Sequence, residues 1–251
     1  MRSKWQTAFA WLGLLIMAVS VVWFESIPRA PRTLETVTPA HPQPFPVVVV
    51  DPGHGGQDSG AMCAGMMEKD LTFDVAQRLD RRLRESGIST LMTRGGDNYI
   101  SLADRAAMTN RLHDCVLVSI HFNEGNKPVS TGIETYYAER PGSAPLLASW
   151  FPFLQRASSD PTNLQSQSLA GFIQEALVTR THAVNRGTKT QQFFVLANVR
   201  HPAVLVEGGF ISNKDDAGKL GSPEYREEIA GAINDGILHY RDVLKGGGQR
   251  D

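Results

Sequence analysis

The sequence carries almost no net charge. Its 25 lysines and arginines face 26 aspartates and glutamates, which leaves a net charge of -1 at pH 7 and a pI of about 6.7. Proteins that capture nucleic acid or an acidic membrane surface by electrostatics carry an excess of basic residues. We therefore expect no nucleic-acid partner, and we expect a substrate recognised by shape and local chemistry. Internal repeats at solenoid or propeller periods are also lacking, which excludes those architectures.

Cysteine is scarce, since only Cys63 and Cys115 occur in 251 residues. Cys115 opens the apolar run CVLVSIH, and Cys63 follows the glycine-rich turn around His54. If His54 meets His121 at the far end of that run, six strand residues at about 3.3 Å each place Cys115 roughly 20 Å away. This distance is beyond disulfide reach. We expect two free thiols, with Cys63 filling space rather than reacting.

The N-terminal residues 1–24 have the pattern of an export signal. Arg2 and Lys4 precede a long apolar run, which is the order found in signal peptides. Ala18 and Ser20 fit a cleavage site after Ser20, but the run continues far enough to serve as an uncleaved membrane anchor. Both alternatives stay open. Either one delivers the protein to the periplasm or cell envelope, and contact with the membrane is expected only through this segment if it is uncleaved.

Proline marks the start of the folded domain. Residues 25–45 hold prolines at 28, 31, 39, 42 and 44 without apolar periodicity, which is typical of an extended linker. The last residues, 246–251, have the composition of a disordered tail. Between them we expect one catalytic domain over 46–245, and we expect it to be a monomer.

Short apolar runs alternate with amphipathic ones in this domain. Runs that are too uniformly apolar to alternate predict strands covered on both faces, at 47–50, 89–93, 116–120, 133–137, 193–196 and 203–207. Apolar residues at helical spacing predict helices within 68–87, 101–112, 166–178 and 222–244. Ser101 and Ser222 stand at positions that cap two of these helices. Alternating strands and helices predict an α/β fold, a single domain with a largely parallel sheet covered by helices on both faces.

Three of the predicted strands end in a side chain that binds metals or carries protons. VVVVDPGH ends in His54, VLVSIH ends in His121 and AVLVE ends in Glu207. Sites of α/β sheets assemble at the carboxyl ends of strands. One such histidine is more often structural, but three equivalent positions are hard to assign to chance.

Glu68 is a fourth candidate. It opens the first predicted helix after a flexible, glycine-containing loop. Its favourable position at a helix N-terminus would explain an acid there by itself. Near His54 and His121, however, it completes a His₂Glu zinc site, the catalytic type that leaves a fourth position to water. We therefore predict one Zn²⁺ per chain, held by His54, Glu68 and His121.

The motifs together resemble a known family. VVVVDPGHGGQDSGA, EKDLTFDVAQRL, TRGGDNYISLADRAAMTN, LVSIHFNEG, GIETYY, RGTKTQQFFVL and PAVLVEGGFISN occur in this order. The chain resembles, from about Pro46 to Leu244, the zinc-dependent N-acetylmuramoyl-L-alanine amidases of the amidase 3 family, which are bacterial cell-wall hydrolases.

The resemblance implies both a fold and an activity. The fold is a single α/β domain with a central twisted sheet. The activity is cleavage, by zinc-activated water, of the amide between the lactyl group of N-acetylmuramic acid and L-alanine in peptidoglycan. By position, His54, Glu68 and His121 match the zinc ligands of the family and Glu207 matches its catalytic glutamate.

The sequence also departs from the family pattern. Phe122 and Glu124 replace small residues that usually follow the second histidine, which puts the family's contacts at the rim in doubt. The segment 138–167 is short and broken by proline, so we expect no long helix of the kind that blocks the metal in some members. A protein activator, if one exists, is not identified by the sequence.

Several residues near the motifs keep more than one interpretation. Arg105 suits either a stem-peptide carboxylate or a structural ion pair, and Glu134 could face substrate, solvent or a ligand histidine. Asp51 and Asp58 flank His54 and are candidates to orient it, as metal-bound histidines usually require. Four further histidines lack partners at ligand spacing and are expected to be structural or exposed: His113, His182, His201 and His239.

Two other functions are compatible with the sequence. One is a zinc peptidase or deacylase that uses the same ligands on a different amide. The other is an inactive wall-binding module, which the presence of all four site residues disfavours, because binding alone does not need them.

Overall fold

The computed structural model describes residues 44–63, 65–125, 129–139 and 161–247. The export segment, nearly all of the linker, the last residues of the tail and most of 138–167 lie outside the described residues. The expectations for those segments therefore remain predictions. In the part of the chain that is described, no helix combines the length and the apolar character needed to cross a bilayer.

Six strands form the main sheet in the order β4-β1-β5-β8-β6-β7. Their bounds are β1 Val47–Pro52, β4 Ser89–Met92, β5 Cys115–Asn123, β6 Ile133–Tyr137, β7 Asn185–Thr190 and β8 Ala203–Phe210. The strands β4, β1, β5 and β8 are parallel, whereas β6 runs antiparallel to β8 and parallel to β7. A two-stranded hairpin, β2 (Met62–Cys63) and β3 (Met66–Met67), follows β1. The predicted α/β fold with a largely parallel sheet is confirmed.

Helices cover both faces of the sheet. Their bounds are α1 Glu68–Glu85, α2 Leu102–Asn110, α3 Pro161–Thr181, α4 Phe194–Ala197, α5 Lys214–Leu220 and α6 Pro223–Gly247. On one face, residues of α1, α3 and α6 share a core cluster with Val48 and Val50; on the other, residues of α2 and α4 share a core cluster with Val49. Successive residues of a strand point to opposite faces. The uniformly apolar VVVV run therefore contributes to two separate cores.

Helix ends follow the predicted capping chemistry where a polar cap is present. The Ser101 hydroxyl accepts a hydrogen bond from the Asp104 backbone N–H at 3.1 Å and donates one to its carboxylate. A capped N-terminus satisfies a backbone donor that the helix leaves free. This cap fixes the start of α2 at the edge of the site described below.

One predicted strand is wrong. The run FFVL (193–196) lies in the short helix α4, and the strand that completes the sheet is β7, with the sequence NRGTKT. β7 is an edge strand with mostly exposed side chains, and backbone pairing with β6 holds it in the sheet. Its sequence therefore has no apolar pattern from which the strand could be predicted. The helix α5 was also not predicted, although the Asn213 side chain caps it by accepting from the Asp215 and Asp216 N–H groups.

Candidate metal centre

The turn after β1 holds His54 in an unusual backbone conformation. His54 has φ 59°, in the left-handed region that residues other than glycine rarely adopt. The guanidinium of Arg105 donates to the His54 carbonyl at 2.7 Å, and Thr72 and Arg94 donate to the carbonyl of Gly53. Strained residues persist where the surroundings fix them, and they cluster at functional sites.

Glycine is required where this turn approaches the other histidine. A Cβ on Gly53 would lie 2.3 Å from Cε1 of His121, far inside van der Waals contact. Gly60, with φ 63°, lies equally close to the Glu68 carboxylate, since a Cβ there would be 2.6 Å from Oε2. At Gly53 the backbone of the turn therefore passes directly beside the His121 ring.

Three side chains converge at the carboxyl ends of β1 and β5. Oε1 of Glu68 lies 3.1 Å from Nε2 of His54 and 3.0 Å from Nδ1 of His121. Ligand atoms of the three residues all lie within 4.8 Å of one another. Among the described residues, these three side chains form the group that could hold a metal ion. Zinc ligands at about 2.0–2.2 Å in a tetrahedron lie roughly 3.3 Å apart, so the donor set and the two distances from Glu68 to the histidines suit zinc.

Glu68 is held as an ionised carboxylate. Its side chain is buried, with Oε1 accepting from the Phe122 N–H at 3.0 Å and Oε2 from the Ala61 N–H at 2.9 Å. Burial by itself would raise the pKa of Glu68, but the contacts with His121 and His54 outweigh it and hold the pKa well below its usual value. A carboxylate that stays charged at neutral pH suits a metal ligand.

Asp58 supports His54 from the side away from Glu68. Oδ2 of Asp58 lies 2.9 Å from Nδ1 of His54, while Nε2 faces Glu68. A carboxylate on one ring nitrogen orients a histidine whose other nitrogen binds metal. Burial lowers the pKa of His54. The contacts with Glu68 and Asp58 raise it by a larger amount, so the net shift of the pKa is upward.

Asp51 and Arg105 form a buried ion pair instead of binding a ligand or orienting His54. Arg105 Nη1 donates to Asp51 Oδ1 at 2.6 Å, and both side chains are almost completely buried. Thr93 and Ser119 hydroxyls complete the shell of Asp51. Because the other donors of Arg105 reach the carbonyls of Ile100, Pro52 and His54, the structural interpretation of Arg105 is the one that the contacts favour.

Glu207 lies beside His54, Glu68 and His121, which we call the triad, and its side chain has no hydrogen-bond partner among the described residues. It is paired with His121 across β5 and β8, and its Oε2 is a buried atom with no partner among the described residues. Burial raises the pKa of Glu207 well above the usual value, and the charges of Glu68 and Glu134 raise it further. Two nearby carboxyl groups with opposite shifts are typical of a site that separates binding from proton transfer.

Glu134 faces neither a histidine nor open solvent. Its buried carboxylate accepts from Asn123 Nδ2, Tyr136 OH and Arg186 Nε, each at 2.7 Å, and from the ammonium group of Lys189. This cluster, the Glu134 cluster, was not predicted, because β7 carries two of its members and shows no sequence pattern of its own.

A cavity of about 340 Å³ opens beside the triad. His54, His121 and Glu207 line it together with apolar and aromatic residues, of which Tyr99, Leu102 and Phe194 are about half exposed. Ligand sites are commonly apolar clefts with a few converging polar groups. The cavity therefore has room for a substrate next to the donors.

The remaining candidate residues lie away from this chemistry. Cys63 and Cys115 are both free, as predicted; Cys63 packs against the main core, and burial raises the pKa of Cys115 to about 11. Phe122, expected at the rim, is buried against the position of Gly208, whereas Glu124 is exposed. Of the four further histidines named above, His113, His182 and His239 are exposed and His201 is partly buried.

Comparison with known proteins assigns this architecture to a family. The family model described as N-acetylmuramoyl-L-alanine amidase matches residues 48–239. The uncharacterised protein YqiI of Bacillus subtilis is 36% identical over 81% of this chain and 88% of its own length. The amidase LytC of the same organism is 34% identical over 77% of this chain, which spans 35% of LytC. The crystal structure of an N-acetylmuramoyl-L-alanine amidase from Clostridium difficile 630 has a TM-score of 0.67 at 33% identity, covering 79% of this chain and 97% of the other.

Proposed function

The chain belongs to the N-acetylmuramoyl-L-alanine amidase family, and from this premise we propose that it hydrolyses the amide between the lactyl group of N-acetylmuramic acid and L-alanine in peptidoglycan. One zinc ion per chain would be held by His54, Glu68 and His121. The observation that carries the proposal is the convergence of three donor side chains within 4.8 Å beside the unpartnered carboxyl group of Glu207.

The reaction requires help at both reacting groups, because an amide is a poor electrophile and water a weak nucleophile. A bound zinc ion lowers the pKa of water to about 7 and polarises a carbonyl oxygen. Glu207 accepts the proton of the attacking water and returns it to the departing nitrogen of L-alanine. A positioned acid–base group of this kind contributes typically about 10² to 10⁴ in rate.

The surroundings of Glu207 suit a group that gains and loses a proton. Its raised pKa suits a carboxyl group that has to return a proton to the leaving nitrogen, and Glu207 lines the cavity next to His54 and His121. No serine or cysteine nucleophile is required, which agrees with the inert, buried state of Cys115.

We also propose that residues 1–24 export the domain to the envelope, where peptidoglycan lies. Arg2 and Lys4 ahead of an apolar run support this assignment. Whether the segment is cleaved or kept as an anchor does not change the side of the membrane on which the domain acts.

Digestion of defined muropeptides by the purified domain tests the activity. Mass spectrometry of the products should show free N-acetylmuramic acid and a stem peptide with a new L-alanine N-terminus, and a Glu207→Gln control should release neither. Cleavage at another amide would indicate a different zinc peptidase. Binding without cleavage, by protein loaded with zinc, would indicate a wall-binding module and refute the proposal.

A further inference from the structure

We propose that Arg186 and Lys189, held in place by Glu134, bind a carboxylate of the stem peptide on the leaving-group side of the scissile amide. This inference rests on the proposed function and adds a specificity to it. The ligand chemistry is a carboxylate borne by the residue that follows L-alanine.

The Glu134 cluster lies in line with the candidate catalytic residues. His121 pairs with Glu207 across β5 and β8, and Glu207 pairs with Glu134 across β8 and β6. Directly paired residues on neighbouring strands project from the same face of a sheet. The row continues to β7, from which Arg186 and Lys189 reach the Glu134 carboxylate.

The cluster carries more positive than negative charge. Two cations share the single carboxylate of Glu134, which leaves one unit of positive charge uncompensated within the cluster. The side chains of Arg186 and Lys189 are 33% and 37% exposed, whereas Glu134 is 2% exposed. Guanidinium and ammonium groups have five and three N–H donors, so donors remain for a second anion.

Other cations near the site are already committed. Arg105 is buried against Asp51 and backbone carbonyls, and Arg94 is buried among the carbonyls of the turn after β1. Lys69 pairs with Asp97 and the carbonyl of Gly56. Among the described residues around the triad, Arg186 and Lys189 are thus the cations placed to receive a charged substrate group.

The distance from His121 to the Glu134 cluster agrees with the length of the peptide that leaves. Neighbouring strands lie about 4.8 Å apart, so two intervals place the Glu134 cluster roughly 10 Å from His121. An extended peptide spans about 3.3–3.6 Å per residue, so a carboxylate on the second residue lies about 7 Å from the scissile nitrogen. With the scissile group near the triad, that carboxylate reaches the cation pair.

The apolar part of the cavity lining disfavours such a group. Tyr99, Leu102 and Phe194 offer apolar surface there, and a carboxylate placed against apolar surface loses hydration without gaining a partner. The cation pair on β7 is therefore the more favourable place for the anionic part of the stem peptide.

The test compares two muramoyl tripeptides that differ only at the second residue of the stem, a free carboxylate in one and its primary amide in the other. Wild-type protein should cleave the carboxylate form with a kcat/KM about tenfold higher, the effect of one charged hydrogen-bonded contact. Arg186→Gln and Lys189→Gln should each remove most of that preference, through a higher KM for the carboxylate form. Lys189→Arg should retain it.

Arg180→Gln provides the matched control, because Arg180 pairs with Asp235 on the helical face and its removal changes net charge equally. It should leave the preference intact. A wild type without preference, or variants that lose activity equally on both substrates, would refute the inference and leave the cluster a structural tie for the edge strand β7. Failure of the wild type to cleave either substrate would instead refute the proposed function.

Discussion

Glu207 and Glu134 stand directly opposite each other on β8 and β6, yet the pKa values of their carboxyl groups shift in opposite directions. Burial raises both. For Glu134, hydrogen bonds from Lys189, Tyr136 and Arg186 reverse that effect, and the group stays ionised. Glu207 has no such donors, and the negative charge of Glu134 raises its pKa further. The two facing carboxyl groups therefore differ because, among the described residues, only Glu134 is surrounded by side-chain donors.

The two candidate roles of glutamate at the site separate by mutation. Glu68→Ala should lower zinc content and turnover together, because it removes one of three donors. Glu207→Ala should keep near-stoichiometric zinc while losing about 10² to 10⁴ in rate, because the proton carrier alone is gone. Zinc per chain, measured beside turnover on purified peptidoglycan, distinguishes them. A metal-free Glu207→Ala with a fully loaded Glu68→Ala would mean that the roles are reversed.

Gly53→Ala should weaken metal binding without introducing a new charge. Its Cβ would displace the His121 ring, which lies 2.3 Å away, and disturbing the support of a ligand typically costs about 10- to 100-fold in metal affinity. Competition with a chromogenic chelator measures the loss. Gly95→Ala, where a Cβ meets nothing within 4 Å, is the control and should bind as wild type. Equal affinity for both variants would contradict the close packing described here.

Acid should remove a stabilising link between α1 and α6. Glu227 accepts from Arg78 at 2.7 Å and Arg82 at 2.6 Å. Burial by itself raises the pKa of Glu227, but the two hydrogen bonds and the charges of the arginines together outweigh burial and lower the pKa below the ordinary value of 4.5. A carboxyl group whose pKa is lower in the folded than in the unfolded chain stabilises the fold at pH values above its unfolded-state pKa. This stabilisation is lost as the pH falls through the folded-state pKa.

Glu227→Gln should accordingly lower the free energy of unfolding by about 0.5–1 kcal/mol at pH 7, since the pairs are partly exposed. The difference from wild type should shrink as pH falls below 4.5 and vanish in stronger acid. Urea titrations across this range provide the measurement. The exposed Glu228→Gln is the control, and a constant difference at every pH would show that lost packing, not charge, explains the effect.

Export is tested with intact cells. Protease added to spheroplasts should digest the full-length protein, because residues 1–24 are expected to carry the domain across the cytoplasmic membrane. A cytoplasmic marker protein should survive in the same sample. Protection of the domain until lysis would contradict the assignment.

Patterns of apolar residues were sufficient to predict the central strands and the long helices. VVVV and VLVSI are buried on both faces of the sheet and leave little choice of structure. FFVL, in contrast, is a run of four that fits a helix turn or a strand equally well, and its tertiary contacts decide for α4. The sequence NRGTKT shows no pattern, since an edge strand is defined by backbone hydrogen bonds.

The residues of the site also divide into those that the sequence could predict and those that it could not. His54, His121 and Glu207 follow apolar runs, so their convergence could be predicted from their equivalent positions at the carboxyl ends of strands. The structure brings them and Glu68 together, and their roles remain predictions. The contact of Arg186 and Lys189 with Glu134 could not be predicted, because both residues lie on the edge strand β7, which has no apolar pattern in the sequence. Asp51 and Arg105 could be paired only once α2 was placed beside β1.

The reversal of β6 relative to β8 has a consequence for how this site can diversify. His54, His121 and Glu207 stand where strands finish, whereas Glu134 and Arg186 stand near the beginnings of β6 and β7, both of which run the opposite way. The segments that enter β6 and β7 are thus separate in sequence from those that supply the donor triad. Replacing them offers a route to amidases that choose different stem peptides while the hydrolytic machinery is left unaltered.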